Sequence, residues 1–295
     1  MQHMTYQVLL FYKYITIEDP EALAQAVRVK ATELDLTGRA LIAMEGINAT
    51  FEGEIAATEE FVAWILSDER FNDVTIKRSV GDGESFPKLS VKVRDEIVGT
   101  KFSKEMADPE HKTAPRVSAQ ELKEKFENGE DVVVIDMRND YEFQSGHFKG
   151  SVNPGLEASR DLPAALPKLE QYKKQKVVTV CTGGIRCEKM SAFLLNNGFE
   201  DVSQLDNGIH GYMEQYPGED FLGTLYTFDK RKTMHFGGER EIVGHCYLCE
   251  APTEQYTNCA NNFCHRHFMV CENCKKGEST PCSLECAEKQ TIVAA

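Results

Sequence analysis

Apolar residues in the first hundred positions follow two periods, one typical of strands and one typical of helices. Short alternating or continuous apolar runs predict strands, and apolar residues spaced by three and four predict helices. In chain order, the pattern predicts a strand at 6–12, a helix at 20–34, strands at 39–44 and 48–51, a helix at 58–66, and later strands at 74–77 and 88–94.

Local signals set the limits of these elements. Asp19 followed by Pro20 is a helix cap with proline in the first turn, and we expect Gly38 to end that helix. A turn around Glu45-Gly46-Ile47 joins two strands into a hairpin. The resulting βαββαβ order predicts a ferredoxin-like, acylphosphatase-like α/β domain over residues 1–100.

The predicted strand 88–94 carries its basic residues on one face. Lys88, Lys92 and Arg94 alternate with apolar residues, so they share a face of the sheet, and we call these three residues the basic strand. Such a row can contact the phosphate backbone of RNA, and it can equally be an ordinary solvated strand face. The formal net charge of the whole chain is -14. RNA binding would therefore depend on a local patch and would be weak or transient.

A polar segment separates this domain from the rest of the chain. It contains Pro109 and Pro115, and it predicts a linker over 101–116. A chain of 295 residues suits two to three domains, so we expect a second domain at 117–216 and a third at 217–295. The hydrophobic content of 41% is enough for buried cores.

In the middle of the chain, a buried strand leads directly into a cysteine. The apolar run 177–180 precedes Cys181, and a helix-like segment begins at 188. The loop between them is Cys181, Thr182, Gly183, Gly184, Ile185, Arg186 and Cys187. Backbone N–H groups at such a junction can converge on a thiolate or a bound anion. The helix dipole and Arg186 are expected to lower the pKa of Cys181, which favours a nucleophile over an inert core thiol.

The length of this loop excludes a neighbouring chemistry. A cysteine phosphatase needs an arginine six positions after its cysteine, where this chain has Cys187; Arg186 comes one residue earlier. Cys187 itself has two interpretations. It is a helix-start residue that packs inward, or it is a resolving thiol that closes a disulfide with Cys181.

Motifs on both sides of the loop resemble those of rhodanese domains. They are a D-x-R strand end (Asp136, Arg138), an E-F-x-x-G-H loop (Glu142 to His147) and an L-x-x-G turn (Leu205 to Gly208). The resemblance covers residues 117–216 and implies an α/β domain with a central parallel sheet. It also implies that Cys181 carries a persulfide sulfur and that Arg186 forms the charged end of its cradle. We interpret His147 as a structural histidine rather than a general base.

Eight cysteines in the last eighty residues form four close pairs. They are Cys246 and Cys249, Cys259 and Cys264, Cys271 and Cys274, and Cys282 and Cys286. Such pairs suit two structural four-cysteine zinc sites, and spacing leaves three ways of combining them. His245, His265 and His267 are possible substitute ligands. The alternative is a set of reduced thiols without metal.

The three parts together resemble the rhodanese-containing tRNA uridine hydroxylases over nearly the whole chain. The residues that carry this resemblance are Glu45-Gly46-Ile47-Asn48, the Cys181 loop, and the segment Gly223-Thr224-Leu225-Tyr226-Thr227-Phe228-Asp229-Lys230-Arg231 before the cysteine-rich end. The resemblance implies a tRNA partner, molecular oxygen as co-substrate, 5-hydroxyuridine at the wobble position as product, and Cys181 as the catalytic residue. Asn207 departs from the first glycine usual in rhodanese turns, and asparagine tolerates that left-handed geometry.

Two enzymatic functions therefore remain possible interpretations, and a third interpretation is a non-enzymatic binding module. Whole-chain resemblance favours a tRNA-modifying oxygenase, and the loop chemistry alone favours a rhodanese-type sulfurtransferase or persulfide carrier. A zinc-stabilised binding module would not need the intact Cys181 loop. The sequence contains no 2-His-1-carboxylate triad, flavin fingerprint or haem motif, so it predicts no electron donor, and it predicts no oligomeric state.

The chain shows no export or membrane signal. It contains no run of about 18 apolar residues, and its first residues, Met1 to Thr5, lack a basic and apolar leader. We therefore expect a cytoplasmic protein without a membrane partner. Its ten cysteines would lie in a reducing compartment that favours metal binding or catalysis over disulfides.

Overall fold

A five-stranded mixed sheet with two helices on one face forms the N-terminal domain of the computed structural model. The structure describes residues 5–237, 240–277 and 280–293. The prediction that the chain has no leader rests on residues 1–5, and residues 1–4 lie outside the described residues. The elements are β1 (Tyr6–Tyr14), α1 (Pro20–Glu33), β2 (Thr37–Ala43), β3 (Gly46–Glu54), α2 (Ile55–Leu66), β4 (Lys77–Gly81) and β5 (Leu89–Val93). The strand order is β4-β1-β3-β2-β5, which confirms the ferredoxin-like βαββαβ core, with β4 as its last strand.

Two details of the predicted elements are wrong, and one strand is confirmed. The strand placed at 74–77 begins only at Lys77. The strand predicted at 88–94 is present as β5, an edge strand that pairs parallel to β2 beyond the βαββαβ core. Gly38 does not end the helix, because α1 stops at Glu33 and Gly38 lies within β2. A side chain at Gly38 would place its Cβ 2.2 Å from the carbonyl oxygen of Thr50. The glycine is therefore required by the close approach of β3.

The two faces of this sheet have different roles. One face packs on the helices through Phe11, Phe51 and Phe61, whose ring centroids lie 4.9 to 6.5 Å apart and whose side chains are fully buried. Burial of each phenylalanine stabilises the domain by about 1.5–3 kcal/mol. Leu10 and Tyr12 alternate with these residues, so they point from the opposite face toward the central domain.

The central domain is built on a four-stranded parallel sheet. Its elements are β6 (Arg116–Val117), α3 (Ala119–Glu127), β7 (Val132–Asp136), α4 (Asp140–Ser145), β8 (Gly146–Phe148), a 3-10 turn (Ser159–Asp161), α5 (Leu162–Leu169), a second 3-10 turn (Glu170–Tyr172), β9 (Lys176–Val180), α6 (Ile185–Asn196), β10 (Asp201–Leu205) and α7 (Gly208–Gln215). The strand order is β6-β10-β9-β7, which confirms the expected parallel sheet. β9 is paired on both sides, which explains why 177–180 is apolar without alternation.

The predicted linker packs against the central domain. Phe102 lies 5.1 Å from the ring of Phe193 on α6, and Ala107 and Ala114 are buried. The backbone N–H of Ala114 donates to Ser191 of the same helix at 3.2 Å. This segment therefore holds the N-terminal domain against α6 rather than acting as a free tether.

Short hairpins and one helix form the cysteine-rich C-terminal region. Its elements are β11 (Phe221–Gly223), β12 (Leu225–Tyr226), β13 (Thr233–Met234), β14 (Tyr256–Asn258), β15 (His267–Met269) and α8 (Leu284–Val293). β11 pairs with β8 of the central domain, and β14 pairs with β15. Within the part of the chain that the structure describes, no helix has the length and apolar character needed to cross a bilayer.

Candidate active site and metal centres

Cys181 lies at the point where β9 ends and α6 is about to begin. Its side chain is fully buried, and the backbone N–H of Gly184 donates to its sulfur at 3.2 Å. Gly184 adopts a φ of 101°, a left-handed conformation that glycine reaches without strain. This turn aims a backbone donor at the sulfur, as the strand-to-helix junction predicts.

A second turn closes over the cysteine loop. A side chain at Gly208 would place its Cβ 2.5 Å from the carbonyl oxygen of Cys181, so only glycine fits there. The N–H of Ile209 donates to that same oxygen at 2.9 Å. Asn207 has a φ of 60°, in agreement with the expectation that asparagine tolerates this geometry.

The loop stabilises a thiolate on Cys181 rather than on Cys187. Burial by itself raises the pKa of Cys181, but a hydrogen bond with Cys187, the charge of Arg186 and backbone N–H groups together lower it to about 6. Burial and the neighbouring Cys181 sulfur raise the pKa of Cys187 well above its usual value. The proton of the pair therefore remains on Cys187, and the lowered pKa favours the thiolate form of Cys181 at neutral pH.

Arg186, the expected charged end of the cradle, is held by an acidic partner. Its guanidinium makes two hydrogen bonds to the carboxylate of Glu142, at 2.5 and 2.8 Å, and a third to the hydroxyl of Thr182 at 3.1 Å. Both charged side chains are buried. Glu142 thus orients Arg186, a role beyond the general framework position inferred from its motif.

The other motif residues support the end of β7 and the loop after it. Asp136 and Arg138 form a buried ion pair, and the Arg138 guanidinium also donates to the carbonyl oxygen of Gly146 at 2.6 Å. The His147 ring stacks on Phe143 with centroids 4.1 Å apart, and its Nδ1 lies 3.0 Å from the carbonyl oxygen of Phe143. These contacts are structural in kind.

A cleft of about 390 Å³ separates the cysteine loop from the N-terminal sheet. Its lining comes from all three parts of the chain and includes Tyr12, Arg39, Lys77, Thr182, Arg186 and Phe228. Cys181 does not line the cleft itself, but the loop residues Thr182 and Gly183 that follow it do. A larger groove of about 630 Å³ runs between α1 and α2, and none of its lining residues is a cysteine or histidine. The smaller cleft is therefore the one that borders the cysteine loop.

The eight C-terminal cysteines form two clusters, and the structure selects one of the three pairings. The first and third pairs form one cluster, which contains Cys246, Cys249, Cys271 and Cys274. The second and fourth pairs form the other cluster, which contains Cys259, Cys264, Cys282 and Cys286. All sulfur atoms of a cluster lie within 4.8 Å of one another.

Sulfur separations in these clusters match a tetrahedral metal site. The Cys249–Cys271 and Cys264–Cys282 sulfur pairs lie 3.6 Å apart. Four thiolates about 2.3 Å from a zinc ion would be about 3.8 Å from one another. The ring of His267 instead stacks on Tyr256, so this histidine is not a ligand of either cluster. Both clusters can hold a metal ion.

Comparison with known proteins places the chain in a family. Residues 6–97 match the UPF0176 acylphosphatase like domain, residues 118–215 match the rhodanese-like domain, and residues 222–287 match the rhodanase C-terminal model. The tRNA uridine(34) hydroxylase of Staphylococcus carnosus (strain TM300) is 41% identical over 291 residues, which cover 97% of this chain and 91% of that protein. The chain belongs to the tRNA uridine(34) hydroxylase family. The hydroxylase of Staphylococcus aureus (strain Newman) gives the same identity and coverage.

A solved rhodanese-like domain aligns with part of this family member. The rhodanese-like domain of an Anabaena sp. protein aligns with a TM-score of 0.33 and 22% identity, and covers 45% of this chain and 97% of that chain. A likeness with so low a TM-score adds nothing to the family assignment.

The structure places the basic strand of this hydroxylase family member beside the cleft. Lys88, Lys92 and Arg94 are exposed, and the residues that the structure describes include no acidic partner for them. Lys92 pairs in register with Leu41, which lines the cleft, so both residues lie on the same face of the sheet. The three predicted RNA contacts thus extend the cleft face outward along the sheet edge.

Sequence reasoning did not place three residues in this cleft, namely Arg39, Lys77 and Phe228. Arg39 and Arg186 each place the guanidinium carbon 5.6 Å from the ring centroid of Phe228, which is 40% exposed. Lys77 lies on the N-terminal sheet and is 5% exposed. Phe228 stands in a motif already noted for the family, but no local pattern indicates that β2 and β4 supply cations to the cysteine loop.

Proposed function

We propose that this protein hydroxylates carbon 5 of uridine 34 in tRNA, with molecular oxygen as co-substrate, 5-hydroxyuridine as product and Cys181 as nucleophile. The observation that carries the proposal is the cleft over the Cys181 loop, which joins all three parts of a chain 41% identical along its length to tRNA uridine(34) hydroxylases. A tRNA substrate would place the activity in the cytoplasm.

The chemistry follows from the charge state of the cysteine pair. The Cys181 thiolate adds to carbon 6 of the uracil ring, so a sulfur–carbon bond forms and the C5–C6 double bond breaks. The electron pair moves onto carbon 5 and O4, which makes carbon 5 nucleophilic toward molecular oxygen. One oxygen atom bonds to carbon 5, and an external two-electron reductant with two protons converts the other oxygen atom to water. Loss of the proton from carbon 5 and release of the Cys181 thiolate from carbon 6 then restore the C5–C6 double bond. Because Cys181 has no exposed surface, the loop or the sheet above it must shift before its sulfur reaches the base.

Phe228 is the proposed platform for the base. It is a partly exposed aromatic ring in the cleft, and base–aromatic stacking contributes about 1–3 kcal/mol per base. Arg39 is exposed and lies 5.6 Å from the centroid of this ring, so it adds positive charge around the bound nucleotide. Lys88, Lys92 and Arg94 would contact the phosphate backbone beyond the cleft, because they continue the same face of the sheet.

Zinc is the metal that best fits the two cysteine clusters. Thiolate ligands in fours favour zinc in a closed site that leaves no position for catalysis. The role proposed for the eight cysteines is therefore structural. Most residues of the small buried core in the C-terminal region are themselves cysteines. Metal binding would therefore hold that region in its folded shape.

Isotope labelling of the reaction tests the proposal. Purified protein and unmodified tRNA are incubated with an added reductant under oxygen-18 gas, and the nucleosides are separated and weighed. We expect 5-hydroxyuridine that carries the heavy oxygen with the wild type and none with Cys181→Ser. A product that takes its oxygen from water, or one formed equally by the serine variant, would overturn the assignment.

A sulfur-carrier function is the second candidate, because one contact favours it directly. The Gly184 N–H that lies 3.2 Å from the Cys181 sulfur can also stabilise a persulfide. Thiosulfate sulfurtransfer by the wild type without any change in tRNA nucleosides would favour this candidate over hydroxylation.

A further inference from the structure

Lys77 is a buried cation whose ammonium group has no hydrogen-bond or ion-pair partner among the residues that the structure describes. It begins β4 and is only 5% exposed. Lys189 is also deeply buried, at 3% exposed, but it pairs with Glu45 at 2.8 Å and with Glu96 at 3.0 Å. An unpaired buried charge is costly, so proteins retain one chiefly where a ligand supplies the partner.

The position of Lys77 indicates what that partner is. Its ammonium lies 5.5 Å from the ring centroid of Tyr12, and the Tyr12 hydroxyl reaches the first turns of α6 by donating to Glu188 at 3.1 Å. Lys77 and the loop residues Thr182 and Gly183 line the same cleft. The ammonium is therefore directed into the space in which the reacting base must lie.

We propose that Lys77 is a catalytic residue that donates a hydrogen bond to O4 of the uracil ring. The inference rests on the proposed function. When the Cys181 thiolate adds to carbon 6, the electron pair of the C5–C6 bond moves through C4 and places negative charge on O4. The Lys77 ammonium stabilises that charge without transferring its proton, and no oxidant takes part in this step.

Depth in the cleft separates this role from phosphate binding. Arg39 and the basic strand are exposed on the same sheet face and can reach a phosphate from outside. Lys77 is almost inaccessible, and its neighbours are the thiol loop and an aromatic ring. A planar base that enters edge-on can reach such a site, whereas a hydrated phosphodiester would have to lose its solvent.

Because the pKa of Lys77 is lowered, this role predicts a specific pH dependence of the addition rate. Burial lowers the pKa of Lys77 to about 8; Cys181, Asp206 and Glu214 raise it, and Arg116 lowers it further. The ammonium is thus lost above about pH 8, while the Cys181 thiolate is formed above about pH 6. The addition step should be fastest between these values and slower on both sides.

Covalent trapping isolates the addition step. tRNA with 5-fluorouridine at position 34 is mixed with the full-length protein, and the rate of covalent adduct formation is followed by denaturing gel and mass spectrometry from pH 5 to pH 10. The variants are Lys77→Met, Lys77→Arg and, as a matched control on the far side of the domain, Lys30→Met. Lys30 lies on α1 and pairs with Glu60 at 2.7 Å.

We expect Lys77→Met to form the adduct about 100-fold more slowly, the loss typical of a donor to a developing oxyanion. Lys30→Met should stay within twofold of the wild type. Lys77→Arg should retain part of the rate and lose the decrease above pH 8, because an arginine keeps its charge there. The melting temperature of Lys77→Met should equal or exceed that of the wild type, since an unpaired buried charge has been removed.

Three results would overturn the inference in distinguishable ways. Adduct formation by Lys77→Met at the wild-type rate would remove Lys77 from the reaction and leave the proposed function intact. The absence of any adduct with the wild type would overturn the addition to carbon 6 and Lys77 with it. Alkylation of Cys181 by iodoacetamide is the remaining readout. If it slows as much as adduct formation in Lys77→Met, the lysine acts on the thiolate rather than on the base.

Discussion

The buried ion pair between Glu142 and Arg186 tests how the cysteine loop is held. The two side chains are 0% and 7% exposed, and two hydrogen bonds join them. Glu142→Gln keeps the shape of the side chain but leaves the guanidinium buried without a counterion. Removing one partner of a buried pair typically costs about 3–5 kcal/mol. We expect a loss of about 3 kcal/mol in the free energy of unfolding, because the glutamine oxygen still accepts one hydrogen bond.

A surface pair of the same chemistry provides the matched control. Glu59 and Arg78 also make two hydrogen bonds, at 2.8 and 2.9 Å, but their side chains are 45% and 41% exposed. Exposed pairs contribute about 0.2–1 kcal/mol, so Glu59→Gln should cost less than about 1 kcal/mol. The difference between the two variants therefore measures burial rather than hydrogen-bond geometry.

Hydrogen exchange is the appropriate assay, because the single tryptophan, Trp64, reports only on the N-terminal domain. The exchange free energies of amides in β9 and α6 should decrease in Glu142→Gln and not in Glu59→Gln. The same substitution leaves the Arg186 charge uncompensated, so the pKa of Cys181 should fall below its wild-type value of about 6. Equal losses in the two variants, or a rise in the pKa of Cys181, would refute this account of the loop.

Four other predictions concern the thiol, the cleft, the RNA surface and the metal. Iodoacetamide should alkylate wild-type Cys181 faster as the pH rises through about 6, because the lowered pKa forms the thiolate there; a midpoint near 9 would contradict the lowered pKa. Phe228→Ala should raise KM for tRNA by about 10-fold or more through lost stacking, with Phe228→Trp as the conservative control. Glutamates in place of the basic strand should reduce the slope of log Kd against log salt by about 2. Cys249→Ser should halve the zinc content measured by mass spectrometry, and an unchanged content would exclude that cluster.

The local part of the site is predictable from the sequence because its residues are neighbours in the chain. A strand, a cysteine, two glycines and a helix start occupy consecutive positions, and the structure builds from them the thiolate site they indicate. The hydrophobic periods likewise locate α1, α2 and the hairpin of β2 and β3. The sequence also locates β5, but it does not predict the parallel pairing of β5 with β2, because that pairing depends on a contact distant in sequence.

The rest of the site depends on contacts between parts of the chain far apart. Lys77 and Phe228 meet the loop of Cys181 only because the N-terminal sheet and the C-terminal segment close over it. The combination of the four cysteine pairs into two clusters is also a tertiary property. The spacing within each pair is the same whichever other pair it meets, so the sequence does not select the combination. The sequence does not indicate an ion-pair partner for Arg186, because only the fold brings Glu142 to it.

Nucleoside mass spectrometry of cellular tRNA tests the central claim most directly. tRNA is compared from cells without this protein, from cells that regain the wild type, and from cells that regain Cys181→Ser. The account predicts that a wobble uridine species heavier by one oxygen atom is lost on deletion, returns with the wild type and does not return with the serine variant. An unchanged profile on deletion, or loss of a sulfur-containing nucleoside instead, would contradict it.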